Sequence, residues 1–116
     1  MLGAIDAIRV AAASRQNRSR QAALGQYFTP VGVATLMTSM SSLGGGHIRL
    51  LDPGAGVGVL AASWVVNACS RADPPSLIEL TAYEMDAELI PYLAQLLELC
   101  QQYCERRGVQ LTIDVR

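Results

Sequence analysis

Three glycines in five residues, directly after a short apolar run, constrain this chain more than any other feature. Ile48-Arg49-Leu50-Leu51 leads into Asp52-Pro53-Gly54-Ala55-Gly56-Val57-Gly58, and apolar residues Val59, Leu60, Trp64, Val65 and Ala68 then recur at helical spacing. The pattern predicts a buried parallel strand, a tight turn and a helix from about 58 to 71. Glycines in such a turn tolerate positive φ and let a ligand approach the backbone closely. The dinucleotide fingerprint G-x-G-x-x-G fails on register counting from Gly54, where the third glycine falls at Val59; counting from Gly56 it falls at Ala61, which the looser fingerprint permits but which lies too far into the helix. A Walker loop is excluded because the chain contains no Lys.

The rest of the chain repeats the strand-helix alternation. Leu77 to Tyr83 reads as a second strand ending at Glu84-Met85-Asp86. A helix from about 87 to 106 follows, with Leu89, Leu93, Leu96, Leu97 and Cys100 on one stripe and Pro91 near its first turn. Val109 to Val115 alternates as a third strand. The order β-α-β-α-β predicts an α/β fold, the first half of a doubly wound, Rossmann-like parallel sheet spanning 44–116. Residues 1–43 form a helical N-terminal extension, with one helix over 2–23, a break at Leu24-Gly25 and a further helix from about 31 to 42 opened by Pro30. Gly44-Gly45-Gly46 connects the two regions, and Asp73-Pro74-Pro75-Ser76 breaks the chain between the first sheet helix and the second strand.

Two further constellations carry chemistry. A carboxylate at the end of the second strand, Glu84, accepts hydrogen bonds from both ribose hydroxyls in adenosine-binding folds of this order, whereas Asp86 reads as the cap of a helix starting at Ala87. The segment Leu24-Gly25-Gln26-Tyr27-Phe28-Thr29-Pro30 places an aromatic pair before a helix, on its own an ordinary anchor.

Together these residues resemble adenine-N6 DNA methyltransferases dependent on S-adenosylmethionine, of the restriction-modification type. Residues 51–58 are similar to the family's first motif, Asp-Pro-x-x-Gly-x-Gly; Tyr83-Glu84-Met85-Asp86 looks like its second; Gly25 to Pro30 is similar to its N-terminal motif, G-x-[YF]-[YF]-T-P. The resemblance implies that Asp52 and the backbone of Pro53, Gly54, Ala55, Gly56 and Gly58 hold the methionine end of S-adenosyl-L-methionine, with Asp52 pairing with its α-ammonium. It further implies Glu84 on ribose, Met85 against adenine, and Tyr27, Phe28, Thr29 and Pro30 as one wall, Thr29 donating to the methionine carboxylate. The implied substrate is duplex DNA with the adenine flipped out, and a restriction subunit or domain accompanies such enzymes. The family's catalytic motif, [DNS]-P-P-[YFW], has one superficial counterpart, Asp73-Pro74-Pro75-Ser76; Ser76 cannot stack on a base, and the segment falls at the wrong end of the sheet. No catalytic residue is therefore assigned, and the chain reads as an inactive cofactor-binding fragment of a longer enzyme.

Composition adds boundaries. The net charge is −1, with nine arginines against ten acids. Arg9, Arg15, Arg18 and Arg20 make the N-terminal helix locally basic; a solvated helix face accounts for them, and contact with phosphate is the alternative. Cys69, Cys100 and Cys104 are odd in number and lack C-x-x-C spacing, so buried thiols in a reducing cytoplasm are expected, and with His47 alone they complete no zinc site. No apolar run is long enough to span a membrane. Two other readings stay open at this level. One is a methyltransferase acting on RNA, protein or a small molecule; the other is a non-catalytic assembly module that forms a homo-oligomer through its exposed sheet edge.

Overall fold

The structure is a computed structural model that describes residues 1–42 and 45–116. The expected boundary between residues 43 and 44, and Gly44 itself, lie outside the described residues. In chain order the elements are α1 (Leu2–Arg15), α2 (Arg18–Leu24), α3 (Val31–Ser39), β1 (His47–Asp52), α4 (Val59–Cys69), β2 (Leu77–Ala82), α5 (Ile90–Glu105) and β3 (Gln110–Val115).

The three strands form one parallel sheet in the order β1-β2-β3, with Asp52 level with Ala82 and Ala82 level with Val115. The architecture is α/β and corresponds to part of a Rossmann-like fold, as the alternation of strands and helices predicts. Apolar residues of one sheet face, Ile48, Ile78 and Leu80, pack under α4 and α5 through Val65, Ala68, Leu93, Leu96 and Cys100. Burying side chains of this size stabilises by about 1.5–3 kcal/mol each, so this layer fixes where the strand ends lie. Helix α1 adds Ile5, Ile8 and Ala12, spaced three and four residues apart, and lies against α4 and α5; α3 lies against α4 through Ala34.

Several expectations are corrected. The single helix over 2–23 is two, because Gln16 is extended and Asn17 starts α2 afresh by accepting a hydrogen bond from the Ser19 N–H (2.8 Å). The helix after β2 begins at Ile90 rather than Ala87; residues 87–89 form a turn, and Pro91 sits just inside the helix where its missing N–H costs nothing. The strand β1 is not buried on both faces: Leu51 is 61% exposed, on the side that also carries Arg49, Glu79, Thr81 and Asp114. Among the described residues only the α4/α5 face of the sheet is covered. Helix α3 likewise leaves Val33, Leu36, Met37 and Met40 exposed along one stripe.

The cysteines are buried, with Cys69 Sγ 3.6 Å from Cys104 Sγ, and burial pushes the Cys100 thiol up to about 12. Among the described residues no cluster of His, Cys, Asp and Glu could hold a metal ion, and no helix is long and apolar enough to cross a membrane.

Candidate functional site

Parallel strands leave all their C-terminal ends on one edge of the sheet, which is where open α/β sheets place ligands. At that edge the glycine turn is joined to the exit of β2 by backbone hydrogen bonds: the Tyr83 N–H donates to Asp52 O and the Ala55 N–H donates to Tyr83 O, both at 2.9 Å. The turn closes on itself through Gly58 N–H to Ala55 O (2.7 Å), and α4 starts from there. Gly56 and Gly58 have φ of 56° and 88°, a region that side chains disfavour; Gly54 does not.

The two glycines with positive φ serve different ends. A Cβ on Gly58 would stand 2.8 Å from Leu93 Cδ1 and 3.5 Å from Leu96 Cδ2, so this glycine lets α5 pack on the turn from below. A Cβ on Gly56 would meet only the Phe28 ring, at an ordinary 3.7 Å, on the open side. Phe28 thus lies over the glycine turn, although it is separated from it by nearly thirty positions in sequence.

Glu84 ties the turn to the second strand. Its Oε2 accepts from the Gly56 N–H (2.8 Å) and its Oε1 accepts from the Asp86 N–H (2.7 Å). Each carboxylate oxygen keeps a second lone pair for another donor. Asp52 differs in that its Oδ2 is buried with no hydrogen-bond partner among the described residues. Burial raises the Asp52 carboxyl above the usual carboxylate range against a hydrogen bond from the Gly54 backbone, and the nearby Glu84 charge adds to the rise. A half-buried acid with a free, dry oxygen favours a cationic donor over solvent.

Two hollows share this edge. The larger, about 1000 Å³, is bounded by Gly25 to Phe28, by Pro53, Gly54 and Gly56, and by Tyr83 to Leu89, with Arg20 and Arg116 at its margin. The smaller, about 100 Å³, lies between Tyr27, Phe28 and Thr29 on one side and Asp52, Gly54, Ala55 and Gly56 on the other. The larger volume sits at the upper end of the range typical of small-molecule sites, roughly 300–1,000 Å³.

Of the residues expected from the sequence, Tyr27, Phe28, Thr29, Asp52, Pro53, Gly54, Ala55, Gly56, Glu84 and Met85 line one hollow or the other. Pro30 and Gly58 line neither: Pro30 caps α3, and Gly58 faces Leu93. Met85 is 95% exposed at the mouth of the larger hollow. Asp73 to Ser76 lies beside Gly45 and Gly46, at the N-terminal edge of the strands, through Gly45 N–H to Asp73 O (3.2 Å) and Ser76 N–H to Gly46 O (2.8 Å).

Sequence reasoning missed the polar surround of the larger hollow. Arg20 reaches Asp86 (3.0 Å) and Glu88 (2.5 Å), and Gln26 donates to Asp86 Oδ2 (2.8 Å). Asp86 therefore does more than cap a helix: the helix it was expected to start begins four residues later, and its carboxylate is engaged with the N-terminal segment. Arg116 lies near the Tyr83 hydroxyl (3.4 Å) and its backbone carbonyl accepts from the Glu84 N–H (3.1 Å). Nothing in the spacing of Arg20 or Arg116 announces these contacts. Gln26, by contrast, occupies the variable position of the Gly25 to Pro30 motif and was available as a candidate.

The chain is a partial homologue of type II methyltransferases. It is 35% identical over 97 residues to the type II methyltransferase M.PstI of Providencia stuartii, which is 84% of this chain and 19% of that protein. It is 33% identical over 92 residues to the type II methyltransferase M.BsuBI of Bacillus subtilis, 78% of this chain and 18% of that protein. The chain thus spans about a fifth of the length of these relatives. No protein-family model matches the chain.

Proposed function

We propose that this chain binds S-adenosyl-L-methionine at the C-terminal edge of its sheet and is the cofactor-binding part of a methyltransferase that modifies the N6 amine of adenine in DNA. The observation that carries the reading is the unpartnered, buried Oδ2 of Asp52. Asp52 lines the smaller hollow together with Thr29, where a zwitterionic amino-acid head would find an acid for its ammonium and a hydroxyl donor for its carboxylate. The glycine turn leaves room for a ligand against the backbone, and Glu84 retains acceptor capacity at the mouth of the larger hollow, as a ribose diol requires.

In this reading Asp52 holds the ammonium, Thr29 the carboxylate, Glu84 the ribose hydroxyls, and Met85 a face of the adenine. Phe28, packed over Gly56, keeps water from the polar head. The cofactor supplies an electrophilic methyl group on a sulfonium, and this chain's residues orient it. The adenine-N6 assignment rests on Gly25 to Pro30, which favours a DNA base over RNA, protein or small-molecule acceptors. Asp73 to Ser76 lies at the far edge of the sheet, so it does not supply the groups that receive a flipped adenine and accept hydrogen bonds from its amine.

Calorimetric titration with S-adenosylmethionine tests the reading. Saturable one-to-one binding is expected for the wild-type chain and none for Asp52→Ala. Incubation of the 116-residue chain with duplex DNA and labelled cofactor should leave adenine unmethylated. An absence of wild-type binding, or methyl transfer by this chain alone, overturns it.

A further inference from the structure

Among the described residues Asp86 is the one buried charged residue, with a side chain 3% exposed, and none of the cofactor roles above employs it. Its Oδ1 accepts from Arg20 Nη2 (3.0 Å) and from the Glu88 N–H (3.0 Å), and its Oδ2 accepts from Gln26 Nε2 (2.8 Å). Gln26 is oriented from the other side as well, because its Oε1 accepts from Gln16 Nε2 (3.0 Å). Arg20 Nη1 closes the cluster on Glu88 (2.5 Å). One carboxylate thus gathers the end of α1, the body of α2 and the start of the Gly25 to Pro30 segment onto the turn after β2.

The local geometry makes this attachment consequential. Gly25 ends α2 in the left-handed region (φ 64°) and turns the chain out toward the sheet edge, so Gln26 is the first residue of the segment that carries Tyr27, Phe28 and Thr29. Tyr27 is largely exposed, whereas Phe28 packs against the core and lies beside the glycine turn. Phe28 anchors the segment by its apolar packing, and Gln26 adds a polar anchor at the end where the segment leaves α2. Asp86 has one local partner, Glu88, and two that come from sixty or more positions earlier, which a simple turn cap does not require. The Gln26 hydrogen bond, opposed by burial and aided by the Glu88 N–H and the Arg20 charge, holds the Asp86 carboxyl below its ordinary range.

We propose that Asp86 is a positioning residue that latches the Gly25 to Pro30 wall onto the sheet through Gln26 and Arg20, so that the cleft is formed before a ligand enters it. The consequence for ligand affinity rests on the cofactor reading given above; the anchoring itself does not. A wall held in advance removes an ordering cost that binding would otherwise bear.

Asp86→Asn separates the latch from the cap, because asparagine accepts the Glu88 N–H as well as aspartate does but removes the charge that faces Arg20 and replaces the oxygen that accepts from Gln26 with an NH2 donor. Gln26→Ala removes the same link from the other end and leaves the turn untouched. Hydrogen exchange read by mass spectrometry should show the amides of 18–30 exchanging roughly tenfold faster or more in each variant, with 47–69 as in wild type. Calorimetry with S-adenosylmethionine should show affinity falling by roughly tenfold or more in each, and the double variant should bind no worse than the weaker single one, since both break one connection. If wild type fails to bind, the cofactor reading falls and exchange alone decides the latch. Unchanged exchange at 18–30, equal acceleration at 47–69, or additive losses of affinity overturn the proposal.

Discussion

Replacing Asp52 with asparagine should move stability and ligand affinity in opposite directions. Burial holds the Asp52 carboxyl above its ordinary range, aided by the Glu84 charge, while one oxygen goes without a partner. An acid whose folded-state pKa is raised binds more protons folded than unfolded between the two values. Its penalty is therefore absent below the unfolded pKa, about 3.9 for aspartate, and is fully present once pH has risen through the folded value. At neutral pH the folded chain carries that penalty. A buried polar group left unpaired costs about 1–3 kcal/mol, and an amide in the same place still leaves its nitrogen unpartnered. The amide oxygen of the variant still accepts from the Gly54 backbone, so the net gain from Asp52→Asn should be on the order of 1 kcal/mol. For a domain of this size that corresponds to a rise in melting temperature of about 4 °C. Melting should be followed for both proteins at pH 7 and at successively lower pH: the variant is expected to be the more stable at pH 7, with the gap narrowing as pH falls through the raised folded-state pKa and the wild-type acid takes up its proton. Comparing the pair at each pH cancels the titration of the other acids. S-adenosylmethionine affinity should meanwhile fall by roughly ten- to hundredfold, the equivalent of one charged-group hydrogen bond. A variant less stable than wild type at pH 7, or a gap that does not change with pH, would refute the reasoning, because Asp52 would then not be a desolvated acid awaiting a cation.

The glycine turn offers a paired test. Gly58→Ala should destabilise the fold by about 3 kcal/mol or more, since positive φ and a 2.8 Å approach to Leu93 act together, whereas Gly56→Ala should cost about 1–2 kcal/mol from backbone strain alone; urea denaturation of both distinguishes them, and equal losses contradict the assignment of Gly58 to packing. Glu84→Ala frees the Gly56 and Asp86 N–H groups and should lower both melting temperature and S-adenosylmethionine affinity, the latter by roughly tenfold or more; an adenosine titration unaffected by the change would remove Glu84 from the ribose role.

The sheet order and the glycine turn were legible because both are local patterns. An apolar run, a turn that needs positive φ and a helical stripe each occupy adjacent residues, and β1, α4, β2, α5 and β3 fall within a few positions of the expected ends. The break between α1 and α2 was not legible in the same way. Residues 14–21 are all polar and contain no Gly or Pro to mark a break, so it is the capping of the Ser19 N–H by the Asn17 side chain that tells two helices from one. The exposure of Leu51 illustrates a second limit: an apolar strand residue has the same pattern whether or not anything covers its face.

The contacts of Asp86 show why the surround of the site escaped a reading by motifs. Asp86 sits two residues after Glu84 and ahead of a helix, and that neighbourhood fully accounts for an aspartate as a cap. Its larger engagement is with Arg20 and Gln26, which lie sixty or more positions earlier and whose own neighbourhoods read as a solvated helix and a loop. A local explanation that suffices gives no reason to look for a distant one. Yet the distant one decides where Tyr27, Phe28 and Thr29 stand relative to Asp52, and with it whether the two motifs form one cleft or two unrelated segments. The glycine turn specifies a place where a ligand can approach the backbone. What gives that place a second wall is the packing of Phe28 together with a set of side-chain hydrogen bonds that no single stretch of sequence contains.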